Sequence, residues 1–358
     1  MMDADRQAAL RGAKLAALVR AAGGEVGDPP VTRPARYPGG AALVVGNAAG
    51  VGSASDATGY VYADERPLRS LGGALAWAAQ QGLGALHVVV DDAEVAGHLA
   101  RRAAYFARPA VRVAAVDGRL LRLVAPAPAP VEVPRPVGLD GFVDLIRRAG
   151  ADPVFEHGVL AGEVFGLEVC RVVFGDCASD GQPHLEVGVG AADREAFRVM
   201  CGDDPTAEQV VDLVHRVSAH RRPGAEPHAL NRLGAERRLR QQIIDDPTVV
   251  GARSLTAASP PLPRPNLKDP VPCVAFGLDD DGTALVVVCA SGVDLDAVPV
   301  GADARAIVAR AIVARSAVAD GPADVRLAIV TEERDRHPAL ARLASTLHES
   351  AEIRSIRR

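Results

Sequence analysis

The sequence predicts an α/β protein made of several small βαβ-type modules, with mixed or parallel sheets, joined by proline-rich spacers. Short runs of Val, Leu, Ile and Ala alternate with amphipathic stretches of helical length, which is typical of strands followed by helices. Aromatic residues are only 3% of the chain, so aliphatic side chains must build the cores. Prolines cluster at 126–136 and 260–265, where we expect extended and fairly stiff segments.

These patterns divide the chain into six segments. We expect an N-terminal helix and linker at 1–40, an α/β module at 41–124, a Pro-Ala spacer at 125–137, a second α/β module with an acidic strand and basic helices at 138–255, a second spacer at 256–265 and a third α/β module at 266–358. The modules share a strand–helix–strand character, but the sequence alone does not align them as a repeat.

The first module begins with an expected strand at 41–45. Ser70 can cap a helix that ends at Gly82, and the apolar run at 85–90 predicts a strand buried on both faces. A helix and a further strand at 111–116 complete the module. In the N-terminal segment, the spacing of Leu10, Leu15, Leu18 and Val19 predicts one apolar helix face.

In the second module we expect a helix at 139–148, a strand pair over 154–173 and a strand at 184–190. Thr206 and Gln209 form a capping-box pattern that opens the next helix, and another helix is expected at 227–244.

In the third module, 273–278 and 284–289 predict a hairpin around an Asp-Gly turn. A helix at 304–317, a strand at 325–330, a helix starting near Pro338 and a closing strand at 352–356 follow.

The bulk properties narrow the class of protein. The formal net charge is −5, which argues against a dedicated nucleic-acid coat protein. The five cysteines form no C-x-x-C pair, which predicts free thiols in a reducing compartment. Neither a signal peptide nor an apolar run of about 18 residues is evident, so we expect a cytoplasmic protein with no membrane segment.

The clearest acidic constellation lies in the second module, at Glu168 and Glu186. Its order of elements resembles the core of restriction-endonuclease-like nucleases over 139–222. The resemblance implies that these two acids hold Mg or Mn and orient a water, with a lysine nearby. The lysine position falls on Gly188, and Lys268, one of two lysines in the chain, is the candidate for the missing cation. The alternative is that the acids are structural.

A basic island follows in the same module. Its members are Arg216, Arg221, Arg232, Arg237 and Arg240, with further arginines and histidines between them. Helical spacing would place some of them on one face, where a phosphate-rich polyanion can dock. The alternative is an ordinary solvated face.

Two weaker patterns complete the set of candidate sites. Residues 46–52 have the G-x-x-x-G-x-G spacing of short-chain dehydrogenases, which would imply a nucleotide-binding oxidoreductase; a plain glycine turn is the alternative. Asp294 and Asp296 are two carboxylates that can share a divalent ion if they lie on a strand, or that belong to a turn between strand and helix.

Three phrases, LEVGVGAADREAF, NLKDPVPCVAFG and VVVCASGVDLDAVP, resemble a family of α/β proteins of high-GC bacteria to which no activity is attached. The leading hypothesis is therefore a non-catalytic cytoplasmic binding protein with a protein or polyanion partner. A metal-dependent phosphodiester hydrolase using Glu168, Glu186 and Lys268 is the alternative, and an oxidoreductase is the weaker one.

Overall fold

The structure of this chain is a computed structural model. It describes residues 2–22, 31–35, 37–46, 57–131, 133–174, 182–202, 205–222, 224–226, 228–264, 266–315 and 324–357. Over these ranges it contains nine α-helices and three sheets, an α/β architecture of several modules as the sequence predicts. None of the helices so described is both long and apolar enough to cross a membrane.

The chain divides into two compact units, each assembled from separate segments. The first unit comprises Met1–Ala129, Asp294–Ala306 and His337–Ile353. The second comprises Pro130–Val293, Ile307–Arg336 and Arg354–Arg358.

The first sheet has six strands in sequence order. They are β1 (Val31–Ala35), β2 (Gly40–Gly46), β3 (Thr58–Ala63), β4 (Ala85–Val90), β5 (Ala110–Asp117) and β6 (Leu120–Leu123). The β3-β4 and β4-β5 pairs are parallel, and the other neighbours are antiparallel. Helices α2 (Leu71–Gln80) and α3 (Ala93–Ala103) connect the parallel strands, because such a connection requires a crossover.

Helix α1 (Met2–Ala22) covers the first sheet. Leu15 and Val19 pack on Leu43 and Val89 in one apolar cluster. Leu10, which we placed on the same face, is 62% exposed, so the apolar face is narrower than its spacing predicts. The prediction of a linker over the whole of 23–40 is wrong for 31–35, which forms the edge strand β1.

The second sheet has four antiparallel strands in the order β10-β9-β8-β7. They are β7 (Asp152–Glu156), β8 (Val159–Val164), β9 (Leu167–Phe174) and β10 (Pro183–Val187). Helices α4 (Asp140–Arg148), α5 (Ala191–Cys201) and α6 (Ala207–Arg221) accompany this sheet, and Val143, Ile146, Val210, Val214 and Val217 of α4 and α6 enter its core. The predicted capping box of Thr206 and Gln209 is confirmed.

The predicted strand pair over 154–173 is wrong, because the segment folds into three strands. Two-residue turns separate them, one at His157 and Gly158 and one at Phe165 and Gly166. All four residues have positive φ, which is the conformation of the tight hairpin turns that match strand twist. His157 and Phe165 are not residues that usually mark such turns, which is why sequence reasoning missed one of them.

The third sheet has five strands in sequence order. They are β11 (Ala252–Ala258), β12 (Cys273–Asp279), β13 (Ala284–Cys289), β14 (Val325–Glu332) and β15 (Glu352–Ile356). Helices α7 (Ala235–Asp245), α8 (Ala297–Arg315) and α9 (Pro338–Ala344) belong to this part of the chain. The expected helix over 227–244 begins later, because Gly234 is left-handed and separates α7 from a short 3-10 turn. Helix α8 begins seven residues before the predicted 304.

The first and third sheets are two copies of one arrangement. The element order α1-β1-β2-β3-α2-β4-α3-β5 returns as α7-β11-β12-β13-α8-β14-α9-β15, with the same neighbours in the sheet. In both copies, two antiparallel pairs are followed by a parallel pair. Residues 86–115 align without a gap to 327–356, and the aligned pairs include Leu86 with Leu327, Val89 with Val330, Leu99 with Leu340, Arg101 with Arg342 and Ala103 with Ala344.

The first unit contains a reciprocal contact between counterpart residues. Phe106 and Leu347 form an antiparallel bridge. The amide of Ala107 donates to the Thr346 carbonyl at 2.8 Å, and the amide of His348 donates to the Tyr105 carbonyl at 2.9 Å. The gapless alignment pairs these residues with one another, so each hydrogen bond is the counterpart of the other.

The first turn of α2 meets the chain just before α8, in the same unit. The amide of Gly72 donates to Asp296 Oδ1 at 3.0 Å. A Cβ at residue 72 would lie 2.7 Å from the amide nitrogen of Asp296 and closer still to the carbonyl of Leu295. Only glycine allows two backbones to approach in this way.

Gly72→Ala should therefore destabilise the protein by about 3 kcal/mol, because the added methyl group meets backbone that cannot rotate away. Gly141→Ala is the matched control: Gly141 is also the second residue of its helix, and a Cβ there has no neighbour within 4 Å. We expect the control to be neutral or to stabilise by up to about 1 kcal/mol. Urea unfolding measures both, and equal effects would contradict the proposed close approach.

Candidate functional site

The predicted acid pair does come together, but around an arginine. Glu168 lies on β9 and Glu186 on β10. Arg194 of α5 contacts both: its Nη1 lies 3.1 Å from Glu168 Oε1, and its Nε lies 3.1 Å from Glu186 Oε2. Arg171, whose Cα pairs with that of Glu186 across the strands, donates to both oxygens of Glu168.

This donor set does not fit Mg or Mn. The Glu168 carboxylate is only 5% exposed and already accepts hydrogen bonds from the guanidinium groups of Arg171 and Arg194. A third guanidinium group, that of Arg264, has a nitrogen 3.8 Å from the same carboxylate. Arg194 neutralises both acids, so a divalent cation would have to displace Arg194 before it could bind them. Among the residues that the structure describes, no group of three or more His, Cys, Asp and Glu side chains is arranged to hold a metal.

Lys268 does not take the place of the missing lysine in this arrangement. Its backbone amide donates to the side chain of Asn266 at 2.8 Å, in a turn closed by Asp269. Within the described ranges, no contact joins its ammonium group to Glu168 or Glu186. Arg194 was the cation that sequence reasoning missed; its place eight residues after Glu186, on the first turns of a helix, was the available signal.

Three of the five arginines predicted to bind a polyanion are buried. Arg221 is fully buried and donates to the carbonyls of Phe165, Leu230 and Leu233. The Phe165 carbonyl lies in the turn between β8 and β9, and the other two lie in and just after the 3-10 turn at Ala229–Arg232, so Arg221 joins these two segments. Its placement lends no support to a contact with a polyanion.

Arg237 and Arg240 of α7 form a buried cluster with two acids of the second sheet. Glu156 on β7 and Glu163 on β8 each contact both arginines. The two carboxylates raise the pKa of both guanidinium groups above the ordinary range, although burial opposes this. The cluster ties α7 to that sheet within the second unit. Of the predicted set, only Arg216 and Arg232 are exposed.

The glycine-rich pattern at 46–52 lies outside the described residues except for Gly46, which ends β2. The oxidoreductase hypothesis therefore stays a prediction.

Two cavities of the described residues bear on function, and the larger lies in the first unit, between α2 and α9. It has a volume of about 900 Å³, and we call it the α2–α9 groove. Its apolar surface is formed by Leu75, Ala76, Trp77, Leu295 and Leu343, among others. The smaller cavity, of about 220 Å³, lies beside Glu186 and Arg194 in the second unit.

Three arginine side chains contribute to the lining of the groove. Arg69, Arg108 and Arg342 line it, together with His337. Among the described residues of its lining there is no Asp or Glu. Arg69 donates to Asp294 Oδ2 at 2.6 Å, whereas Arg108 and Arg342 are exposed and have no acidic partner in the described part of the chain. The groove is therefore apolar inside and cationic at its edge.

Asp294 and Asp296 lie beside this groove, in a turn after β13, and not on a strand. Asp294 Oδ1 accepts the amide of Asp296 at 3.0 Å, while Asp296 Oδ1 accepts the amide of Gly72. The two carboxylates thus serve different partners, which favours the turn over the shared divalent ion. Burial, and then the charge of Asp294, raise the pKa of Asp296 to about 7.

Comparison with protein-family models, with curated proteins and with solved structures found no match to this chain. What the fold and the groove define is a class: an α/β protein with a duplicated sheet arrangement and a cationic, apolar groove between two helices of its first unit.

Breaking the buried cluster of the second unit should cost far more stability than removing an exposed arginine. Arg240→Met leaves Glu163 buried and poorly compensated, and we expect a loss of about 3–5 kcal/mol. Arg216→Ala, at an exposed position of α6, should change stability by less than about 0.5 kcal/mol. Urea unfolding compares them, and similar losses would contradict a structural role for Arg240.

The buried Asp296 should make stability fall as pH rises. Its pKa is about 7 in the folded protein and 3.8 for the free group, so the folded state holds the extra proton between these values. The free energy of unfolding therefore decreases from about pH 4 to pH 7. Asp296→Asn keeps the acceptor for Gly72 and should be the more stable protein at pH 8, by up to about 4 kcal/mol.

The difference in the free energy of unfolding between Asp296→Asn and the parent protein should disappear towards pH 4, where the side chain of residue 296 is neutral in both proteins. Asp281→Asn, in an exposed turn, is the control and should follow the parent at every pH. Urea unfolding at pH 4, 6 and 8 measures this difference in stability. A difference that does not vary with pH would refute the buried titration.

Proposed function

We propose that this chain is a non-catalytic binding protein, and that its α2–α9 groove takes an acidic segment of a protein partner. The observation that carries the proposal is the groove itself: a cavity of about 900 Å³ with an apolar surface, an edge of arginines and, over its described lining, no acidic side chain. Such charge complementarity selects an anionic partner and speeds its approach.

The position of the groove between two helices favours a peptide segment. Helices α2 and α9 both line it, and grooves between helices bind amphipathic segments through a few apolar anchors. Trp77 and Leu343 are mostly buried but still line the cavity, so an apolar side chain of the partner can pack against them. Burying one large side chain there would contribute about 1.5–3 kcal/mol.

The polar groups in the lining support binding and not chemistry. His337 Nδ1 accepts the amide of Ala339 and caps α9, so this ring nitrogen is already engaged. The hydroxyl of Ser70 donates to the Pro67 carbonyl at 2.7 Å, and that of Tyr37 donates to the Ser70 carbonyl at 3.0 Å. These groups hold the walls of the groove, which suits a preformed binding surface.

We place the protein in the cytoplasm, since Cys170, Cys273 and Cys289 are buried free thiols. The phosphodiester hydrolase alternative has less support, because Arg194 occupies the space between its two acids.

Selection from a displayed library of random ten-residue peptides tests the proposal. We expect enriched peptides that combine Asp or Glu with a large apolar residue, and that bind with an affinity that falls as salt is added. Ala76→Arg, which fills the groove, should weaken these peptides at least tenfold. The control is Ala104→Arg, at an exposed position after α3.

Failure to enrich any peptide, or equal binding to Ala76→Arg and the parent protein, would overturn the proposal. A thermal melt of each variant shows that the fold is intact.

A further inference from the structure

The duplication creates two counterpart helix contacts in the first unit. Helix α3 of the first copy meets the start of α8, and α9 of the second copy meets α2. Because α3 corresponds to α9 and α2 to α8, these are the same contact made twice. One is closed by charged side chains, and the other is the α2–α9 groove.

The closed contact is built on a single buried carboxylate. Arg101 of α3 binds Asp303 with two hydrogen bonds, Nε to Oδ1 at 2.8 Å and Nη2 to Oδ2 at 2.9 Å. Arg102 Nε donates to Oδ2 at 3.2 Å, and the Tyr105 hydroxyl lies 3.3 Å from Oδ1. The carboxylate of Asp303 is fully buried. A two-point arginine–carboxylate pair of this kind is strong and specific in direction.

The open contact retains the arginine and lacks the carboxylate. The gapless alignment places Arg342 where Arg101 stands, and Leu343 where Arg102 stands. Asp303 lies six residues after the first residue of α8, and the residue six positions after the start of α2 is Trp77. Where the closed contact has a carboxylate, the groove therefore has an indole and empty volume, and Arg342 is exposed without an acidic partner among the described residues.

We infer that the groove binds a carboxylate, which Arg342 holds as Arg101 holds Asp303. This inference rests on the proposed function and names its anchor: an Asp or Glu side chain, or a chain end, of the partner's segment. An apolar group next to that carboxylate packs against Trp77 and Leu343. Arg108, at the edge of the same groove, provides a second positive charge.

Trp77 makes the inference directly measurable, because it is the only tryptophan in the chain and it lines the groove. The probes are 4-phenylbutyrate and its neutral amide, 4-phenylbutyramide, titrated into the full chain while tryptophan fluorescence is followed. The two compounds share the apolar part and differ in charge. We expect the acid to bind at least tenfold more tightly than the amide.

Arg342→Gln should abolish this preference and leave the amide unaffected, because the substitution removes only the guanidinium group. Arg119→Gln, an exposed arginine in the turn between β5 and β6, is the matched control and should keep the tenfold preference. Ala76→Glu supplies a carboxylate inside the groove. It should compete with the added carboxylate for Arg342 and repel it, so that the preference for the acid falls to one or below.

The possible results separate the inference from the function on which it rests. If neither compound changes the fluorescence, the groove is not a ligand site and the proposed function fails as well. If both bind equally, or if Arg342→Gln keeps the tenfold preference, the groove stands and the role of Arg342 is refuted. Circular dichroism melts of the variants identify any that do not fold.

Discussion

The first unit depends on the close approach of two backbones, at Gly72 of α2 and at the residues just before α8. The amide of Gly72 reaches the carboxylate of Asp296, and there is no room for a side chain at residue 72. This approach brings the first ten residues of α8 into the unit and, with them, Asp303. A carboxylate without enough donors is costly to bury. Burial, and then the charge of Asp294, raise the pKa of Asp296, and the hydrogen bond from the amide of Gly72 opposes this only in part.

In the second unit, buried arginines join helices, strands and turns to one another. Arg221 binds three carbonyls from two segments, while Arg237 and Arg240 bind two acids of neighbouring strands. Such clusters gain little over an apolar core, but a misplaced partner would leave a charge buried and alone. They therefore select one arrangement of helix and sheet. The same reasoning explains Arg194, which holds Glu168 and Glu186 together.

The duplication explains how the α2–α9 groove arises in this fold. Two equivalent helix contacts are present, and in one of them the ion pair of Arg101 with Asp303 closes the interface. In the other, aromatic and aliphatic side chains replace the carboxylate and one arginine, which leaves the α2–α9 groove. Comparison with the closed contact thus shows which group the open contact lacks, namely a carboxylate. A protein partner with an acidic, apolar segment would complete it.

The α/β class and the exact bounds of several elements were predicted from the sequence, including the strands at 85–90, 284–289 and 352–356. Local physics explains this success, since apolar runs and capping residues act through near neighbours. One of the two hairpin turns at His157 and Phe165 was missed, because neither residue usually marks a turn with positive φ. The duplication was missed as well, since its copies share the strand order but few side chains.

The sequence predicted a basic island with some of its members on one helix face, namely Arg216, Arg221, Arg232, Arg237 and Arg240. That three of them are buried follows from the tertiary structure, because burial of a charge depends on acids and carbonyls that are distant in sequence. The α2–α9 groove is likewise a product of tertiary structure alone. Its walls come from residues more than 200 positions apart, and what makes it a candidate site is the carboxylate that Arg342 lacks and Arg101 has.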